Sequence, residues 1–333
     1  MLTRVVLGLI GLSLFCSGFV ANKSLGAAEK VGVLSAQSLY VEDNKGLPVL
    51  RHYLVYHPNG TTNPKPLVLV FHGYSSSAQT IMDYSGFNQL ADAHGFVVYY
   101  PEGIKDVTDN QFFNVGYEMH QASAIDDLRF VDALINEALG SGQVKADAIF
   151  ATGMSNGGDL SYLLACERAE QFRAVAPIAG MMMVATRNRC SPARAIPILA
   201  VSGMADGITK YAGDLENKDG WGAYLGQDET IDFWVEMGKR QLVRKDTLPS
   251  KTARWFAGSS SIERYHYASD AERNDLMFYQ VVDGGHDWPG AILPRWSIRT
   301  LLAVQLMGFG KNRDIDTSHE IWSFFSAQSE SIK

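Results

Sequence analysis

Six short runs of nearly unbroken apolar residues mark out the chain: Leu67–Phe71, Phe96–Tyr100, Ala148–Thr152, Ala174–Ala179, Ile196–Ser202 and Met277–Val282. A strand with one wet face alternates apolar and polar residues. An unbroken run of this length suits a strand covered on both faces, as in a parallel sheet. Between these runs lie stretches of helical character. Gln79 to Ala93 is one, closed by His94-Gly95. A second starts at Ser123 as its cap and runs through Phe130 and Leu134 to Leu139, and a third spans Asn156 to Ala169. Strands alternating with helices predict an α/β fold, a mostly parallel central sheet with helices on both faces. Leu47–Pro58 reads differently. Its alternation sets Leu50, His52, Leu54 and Tyr56 against Arg51, Tyr53, Val55 and His57, the pattern of an antiparallel strand.

The amino terminus stands apart. A basic start at Met1–Arg4 leads into an apolar run from Val5 to Val20, and small residues follow at Ala21, Gly26, Ala27 and Ala28. This is the layout of a secretory signal. The expectation is a cleaved segment over residues 1–28 and a single domain over 29–333. It would be secreted or periplasmic, with no membrane association after cleavage. Loss of the two cations Arg4 and Lys23 would move the formal charge from -7 to -9. Such an acidic chain is a poor match for a nucleic-acid partner, which calls for a basic surface. Of three cysteines, Cys16 would leave with the signal. Cys166 and Cys190 would remain, and in an exported chain they predict one disulfide. No cysteine–histidine cluster has metal-binding spacing, so neither metal nor cofactor is expected.

The chemistry concentrates in Gly153-Met154-Ser155-Asn156-Gly157. The pentapeptide follows a buried strand and opens a helix, the setting of a nucleophile elbow. A tight turn there lifts the Ser155 hydroxyl above the sheet and aims helix N-terminal amides at the reacting centre. A serine needs a base. Three histidines follow it: His266 on a possible alternating strand, His319 in a C-terminal helix, and His286 in Gly284-Gly285-His286-Asp287-Trp288-Pro289. His286 sits on a glycine-rich loop after a strand, where a general base belongs. Asp206 follows the Ile196–Ser202 strand and is the leading acid, with Asp214, Asp219 and Asp228 as rivals. Oxyanion donors are expected from the backbone N–H groups of Asn156 and of Tyr74, in the loop His72-Gly73-Tyr74-Ser75. His72 is expected to support that loop.

These segments together resemble the polyhydroxybutyrate depolymerase-like esterases of the α/β-hydrolase superfamily, a group that includes feruloyl and acetylxylan esterases. The resemblance rests on Phe71-His72-Gly73-Tyr74, Ile125-Asp126-Asp127, Thr152-Gly153-Met154-Ser155-Asn156-Gly157-Gly158 and Gly284-Gly285-His286-Asp287-Trp288-Pro289-Gly290. It implies an α/β-hydrolase fold and a triad of Ser155, Asp206 and His286. The implied partner is an ester, either a hydroxyalkanoate oligoester or a feruloyl or acetyl ester of plant polysaccharide. Two departures stand out. Phe113 occupies a position where the family usually has tryptophan, and Tyr211–Phe256 is unfamiliar. Trp221 in that stretch and Trp288 beside the base are candidates for touching substrate, whereas Trp234 reads as core. A peptidase would share the triad but not the esterase motifs. A lipase would want an apolar lid where Tyr211–Asp228 is polar, and a non-catalytic binding protein would lack a triad residue.

Overall fold

The computed structural model describes residues 31–60, 64–250, 261–269, 274–291 and 312–329. The expected signal segment, with Cys16, lies outside these residues, as does Trp255. Ten strands form the main sheet. In chain order they are β1 (Val33–Glu42), β2 (Pro48–His57), β3 (Lys65–Phe71), β4 (Val97–Pro101), β7 (Val144–Met154), β8 (Ala174–Ile178), β9 (Ile198–Gly203), β10 (Gln241–Leu248), β11 (Ser261–Ala268) and β12 (Leu276–Val282). A separate small ribbon pairs β5 (Ile104–Lys105) with β6 (Gln111–Phe112).

The sheet order is β1-β2-β4-β3-β7-β8-β9-β12-β11-β10. The six strands from β4 to β12 run parallel, and an antiparallel pair flanks them on each side. This is the mostly parallel sheet expected from the six apolar runs. Alternate side chains of β3 divide between its faces. Leu67, Leu69 and Phe71 join one buried cluster, with residues of α3 (Asp127–Gly140), α4 (Asn156–Glu167) and α6 (Gln227–Met237). Val68 and Val70 join another, with residues of α1 (Ala78–Ser85), α2 (Phe87–His94) and α7 (Thr317–Ser329). Helix α5 is a short turn at Val184–Arg189.

Several local expectations are corrected. The helix read as continuous from Gln79 to Ala93 is two helices, because Gly86 takes a left-handed conformation (φ 69°) that breaks the ladder. Helix α3 is capped by Asp126, whose side chain accepts from Arg129 N–H at 3.1 Å, and not by Ser123. The Ser123 hydroxyl instead accepts from Ile125 N–H at 3.3 Å. Strands β1 and β10 carry no apolar run. β10 is solvent-facing along most of its length, and β1 nearly so.

Register decides what the strand ends bring together. Phe71 of β3 pairs with Gly153 of β7, so the loop beginning at His72 lies beside Ser155. Val281 of β12 pairs with Gly203 of β9, so the turns carrying Asp206 and His286 emerge side by side. All four segments leave the carboxyl edge of the parallel strands. There β3 lies between β4 and β7, a switch in winding direction of the kind that opens a crevice in open α/β sheets.

Candidate active site

The elbow is dictated by contact distances. Ser155 has φ 56° and ψ -121°, a strained conformation for a residue with a side chain. A Cβ at Gly157 would sit 2.3 Å from Phe71 O, and one at Gly153 would sit 2.6 Å from Gly157 itself, so no other residue fits either position. Along residues 151–160, Ser155 alone is not buried. Its N–H donates to Ile178 O at 2.9 Å, and its carbonyl accepts the first bond of α4 from Asp159 N–H at 2.8 Å. Asn156 opens that helix, so its N–H precedes the first intrahelical bond and points outward with the helix dipole.

Gly73 comes close to the serine: a Cβ there would lie 3.8 Å from Ser155 Oγ. In the next turn Ser75 N–H donates to Gln111 O at 2.8 Å and Ser76 N–H to Gly73 O at 3.1 Å. Tyr74 N–H donates to no group among the described residues. His72 is fully buried beneath this loop. Its Nε2 accepts from Gly103 N–H at 2.9 Å, which leaves the proton on Nδ1, and Nδ1 donates to Gly73 O at 2.7 Å. His72 is thus the loop support expected of it and offers no free base.

Asp206 and His286 meet. His286 Nδ1 lies 2.8 Å from Asp206 Oδ2, both side chains being buried. An ionised carboxylate can only accept, so Nδ1 carries the proton. The other carboxylate oxygen, Oδ1, accepts from Ile208 N–H and Thr209 N–H, each at 2.8 Å, which fixes the plane of the carboxylate. The rival acids are engaged elsewhere: Asp214 with Asp219 N–H, Asp219 with Lys210, and Asp228 with the Tyr211 hydroxyl. Of the rival histidines, His266 lies on β11 near Asp275 at 3.4 Å, and His319 is exposed on α7.

The two tryptophan candidates part company. Trp288 is 1% exposed, donates from Nε1 to Ser318 Oγ at 3.0 Å, and packs edge-on against Tyr84 and Phe87. It belongs to the core, and its expected contact with substrate is corrected. At that burial neither its N–H nor its ring faces are open to a ligand. Trp221 is half-buried and stands edge-on to Tyr74 at 5.6 Å and to Tyr117 at 5.2 Å, so it adjoins the Tyr74 loop. Trp234 is core, as expected.

Three polar groups near the site had no assigned role in the sequence reading. The Tyr74 hydroxyl donates to Asp106 Oδ2 at 2.6 Å, and His120 Nε2 lies 3.3 Å from the same oxygen. Burial pushes the Asp106 carboxyl up, but hydrogen bonds from Tyr74, Thr108 and Asn110 outweigh it and hold the group well below the carboxylate range. Asp159 is the third. It is fully buried on the first turn of α4, accepts from the Tyr117 hydroxyl, and accepts from Met181 N–H at 2.6 Å. Burial pushes its pKa up to about 7 against those two bonds. A lone aspartate inside the apolar stretch Asn156–Cys166 was the available signal.

Cys166, near the end of α4, is bonded to Cys190, just past α5, as the cysteine count predicted. Among the described residues no cluster of three or more metal-ligating side chains occurs, and no helix is long and apolar enough to cross a membrane.

Residues 51–209 match the family described as esterase PHB depolymerase. Over that region, just under half of the chain, the sequence is similar to this esterase family. Feruloyl esterase B of Piromyces equi is 31% identical over 193 residues, a match covering 56% of this chain and 35% of that protein. A protein of Nocardia uniformis subsp. tsuyamanensis named as an esterase, NocK, is 26% identical over 284 residues, covering 83% of this chain and 77% of the relative. Among solved structures, the acetyl xylan esterase of Aspergillus awamori superposes with a TM-score of 0.53 at 13% identity. That superposition covers 82% of this chain and 99% of the other, and it shows a shared fold. The family match, these relatives and the shared fold all support a carboxylic ester hydrolase. The matched region stops just past Asp206, and His286 lies beyond it.

Proposed function

We propose that the chain is a secreted serine esterase in which Ser155, His286 and Asp206 act as a triad. The observation that carries this reading is the convergence at one sheet edge of a strained, accessible serine and a bonded Asp206–His286 pair. With Nδ1–H given to Asp206, His286 Nε2 is the basic nitrogen. It takes the proton as Ser155 Oγ bonds to the ester carbon, and the carbonyl electron pair moves onto oxygen. The amides of Asn156 and Tyr74 stabilise that oxyanion. Collapse of the intermediate breaks the bond to the alkoxy group, which leaves as alcohol with the proton from His286. Water then repeats the sequence on the acyl-enzyme and releases the acid. Asp206 keeps the imidazole in the required tautomer and stabilises its cation.

The substrates proposed are hydroxyalkanoate oligoesters or the feruloyl and acetyl esters of plant polysaccharide. This rests on the family and on relatives named as feruloyl esterases. Export rests on the segment 1–28, and the Cys166–Cys190 bond is the kind that persists in an oxidising compartment. Residues 29–333 would be the mature catalytic domain.

The test is hydrolysis of p-nitrophenyl acetate by wild type and Ser155→Ala. The variant should be slower by at least about 10³-fold, and equal rates would sink the triad. Comparing kcat/KM on methyl ferulate, acetylated xylan and hydroxybutyrate oligomers then ranks the substrates.

A further inference from the structure

The second x of the G-x-S-x-G pattern is read above only for its backbone amide, yet the Asn156 side chain is fully buried and bonded twice to one partner. Its Oδ1 accepts from Phe113 N–H at 2.7 Å, and its Nδ2 donates to Phe113 O at 2.9 Å. A carboxamide facing a peptide unit in this way fixes both translation and tilt of the segment it holds. The same segment reaches the other donor loop. Gln111 O accepts from Ser75 N–H at 2.8 Å, one residue past Tyr74. The Phe113 ring lies edge-on to Phe71 at 5.4 Å and against His72 at 4.8 Å. Residues 111–113 therefore touch both strands' ends from which the two oxyanion amides project.

The far end of this segment is anchored on charge. Asn114 N–H donates to Asp127 Oδ2 at 2.6 Å, and Asn114 Nδ2 donates to Ile125 O at 2.9 Å. Asp127 Oδ1 accepts from the Arg51 guanidinium at 2.6 Å, with both side chains buried. The Arg51 guanidinium also lies 3.9 Å from the centre of the Phe130 ring and donates to Glu102 O at 3.3 Å. A buried ion pair is weak as a source of stability, but it is specific in direction, because either charge left alone is costly.

We infer that Gln111–Asn114 is a bracket that sets the spacing between the Tyr74 and Asn156 amides. Asn156 is the positioning residue that couples the bracket to the nucleophile's own turn, and Arg51–Asp127 is its anchor. The inference rests on Ser155 being the nucleophile. The oxyanion exists only during reaction, so a misplaced donor weakens transition-state binding while leaving the ester's ground-state contacts intact.

Two variants test it. Asn156→Ala removes both bonds and keeps the backbone amide. Asn156→Asp keeps the acceptor, but when ionised it turns the donor into a charge facing Phe113 O. When protonated, the carboxylic acid again donates and accepts as the amide does. Each is assayed on p-nitrophenyl acetate, with fluorophosphonate labelling to count intact sites and a trifluoromethyl ketone to probe the oxyanion contacts. For Asn156→Ala, kcat per labelled site should fall about 10- to 100-fold with KM little changed, since a shifted donor costs less than a deleted one. Affinity for the ketone should fall in step. The kcat of Asn156→Asp relative to wild type should recover as pH drops from 8 towards 5. Trp322→Ala, on the opposite face of the sheet, controls for simple loss of stability and should leave kcat per labelled site unchanged. The bracket is overturned if Asn156→Ala keeps wild-type kcat and ketone affinity, or if the Asn156→Asp deficit is flat with pH. Labelling that survives in Ser155→Ala would instead overturn the nucleophile assignment, and the two failures are thereby told apart.

Discussion

Two aspartate–histidine pairs among the described residues, Asp206–His286 and Asp106–His120, are built in different ways. Asp206 and His286 come from the ends of two parallel strands in register, and their contact uses Nδ1 at 2.8 Å. The other oxygen of Asp206 accepts from two backbone amides, so the two sides of the carboxylate are held separately. Asp106 and His120 come from the β5–β6 turn and from a helical turn at Glu118–His120. Their contact uses Nε2 at 3.3 Å and is shared with the Tyr74 hydroxyl. The His120 ring is covered by Phe112 at 3.7 Å, and its Nδ1 is buried without a partner. A histidine with one face closed and its second nitrogen shut inside cannot shuttle protons to a substrate. On the triad proposed above, the same residue types make a base in one place and a prop for Tyr74 in the other. Strand register places the first pair, and ring packing with a buried second nitrogen closes off the other.

The largest effect should separate the two pairs outright. Asp206→Asn leaves the contact distance possible but favours the wrong imidazole tautomer, so kcat should drop by about 10⁴-fold. Asp106→Asn weakens the hold on the Tyr74 ring and should cost about tenfold at most, as expected for a displaced rather than a lost donor. Steady-state kinetics on one chromogenic ester measures both. If Asp106→Asn fell as far as Asp206→Asn, the distinction between base and prop would be wrong.

The smallest effect concerns a carboxylate that belongs to neither pair. Asp159 holds its proton up to about pH 7 in the folded protein, because burial opposes its charge. The unfolded chain gives that proton up near the ordinary value of about 4. Folding therefore binds a proton between those limits, and the contribution of Asp159 to stability is lost as pH rises through that window. Asp159→Asn should gain on wild type by a few degrees in Tm between about pH 4 and 8, with activity changed little. Thermal melts across that range check it. A Tm difference that does not move with pH would mean Asp159 is ionised when folded.

The parallel core was legible because strands covered on both faces leave nothing polar to confuse the pattern. Leu67–Phe71 and Ala148–Thr152 show this most plainly. β10 could not be read, since its sequence Gln-Leu-Val-Arg-Lys-Asp-Thr-Leu faces solvent along an edge and its strand character comes from pairing with β11. Gly86 was visible in the sequence, but whether a glycine interrupts a helix depends on the packing of both halves. Ser155 was legible from its neighbours because steric crowding leaves only glycine at two fixed offsets. Asp206 could be ranked ahead of Asp214, Asp219 and Asp228 only by its place after a strand, and its contact with His286 comes from the pairing of β9 with β12. Trp288 was misread because proximity in sequence to the base says nothing about which side of the loop an indole faces.

The distance along the chain between Asp206 and His286 has a bearing on when the protein becomes active. The elbow turn closes over a handful of residues, and the two strands that its own strand pairs with are complete by Ile178. The Asp206–His286 bond closes a loop of 80 residues and waits for β12 to dock on β9. Long-range closures of this kind come late and slowly in folding. On the triad proposed above, a chain still emerging from the ribosome would carry a formed nucleophile with no base. Hydrolytic power would switch on only when the last parallel strand is in place, which makes catalysis itself a stringent report of completed folding.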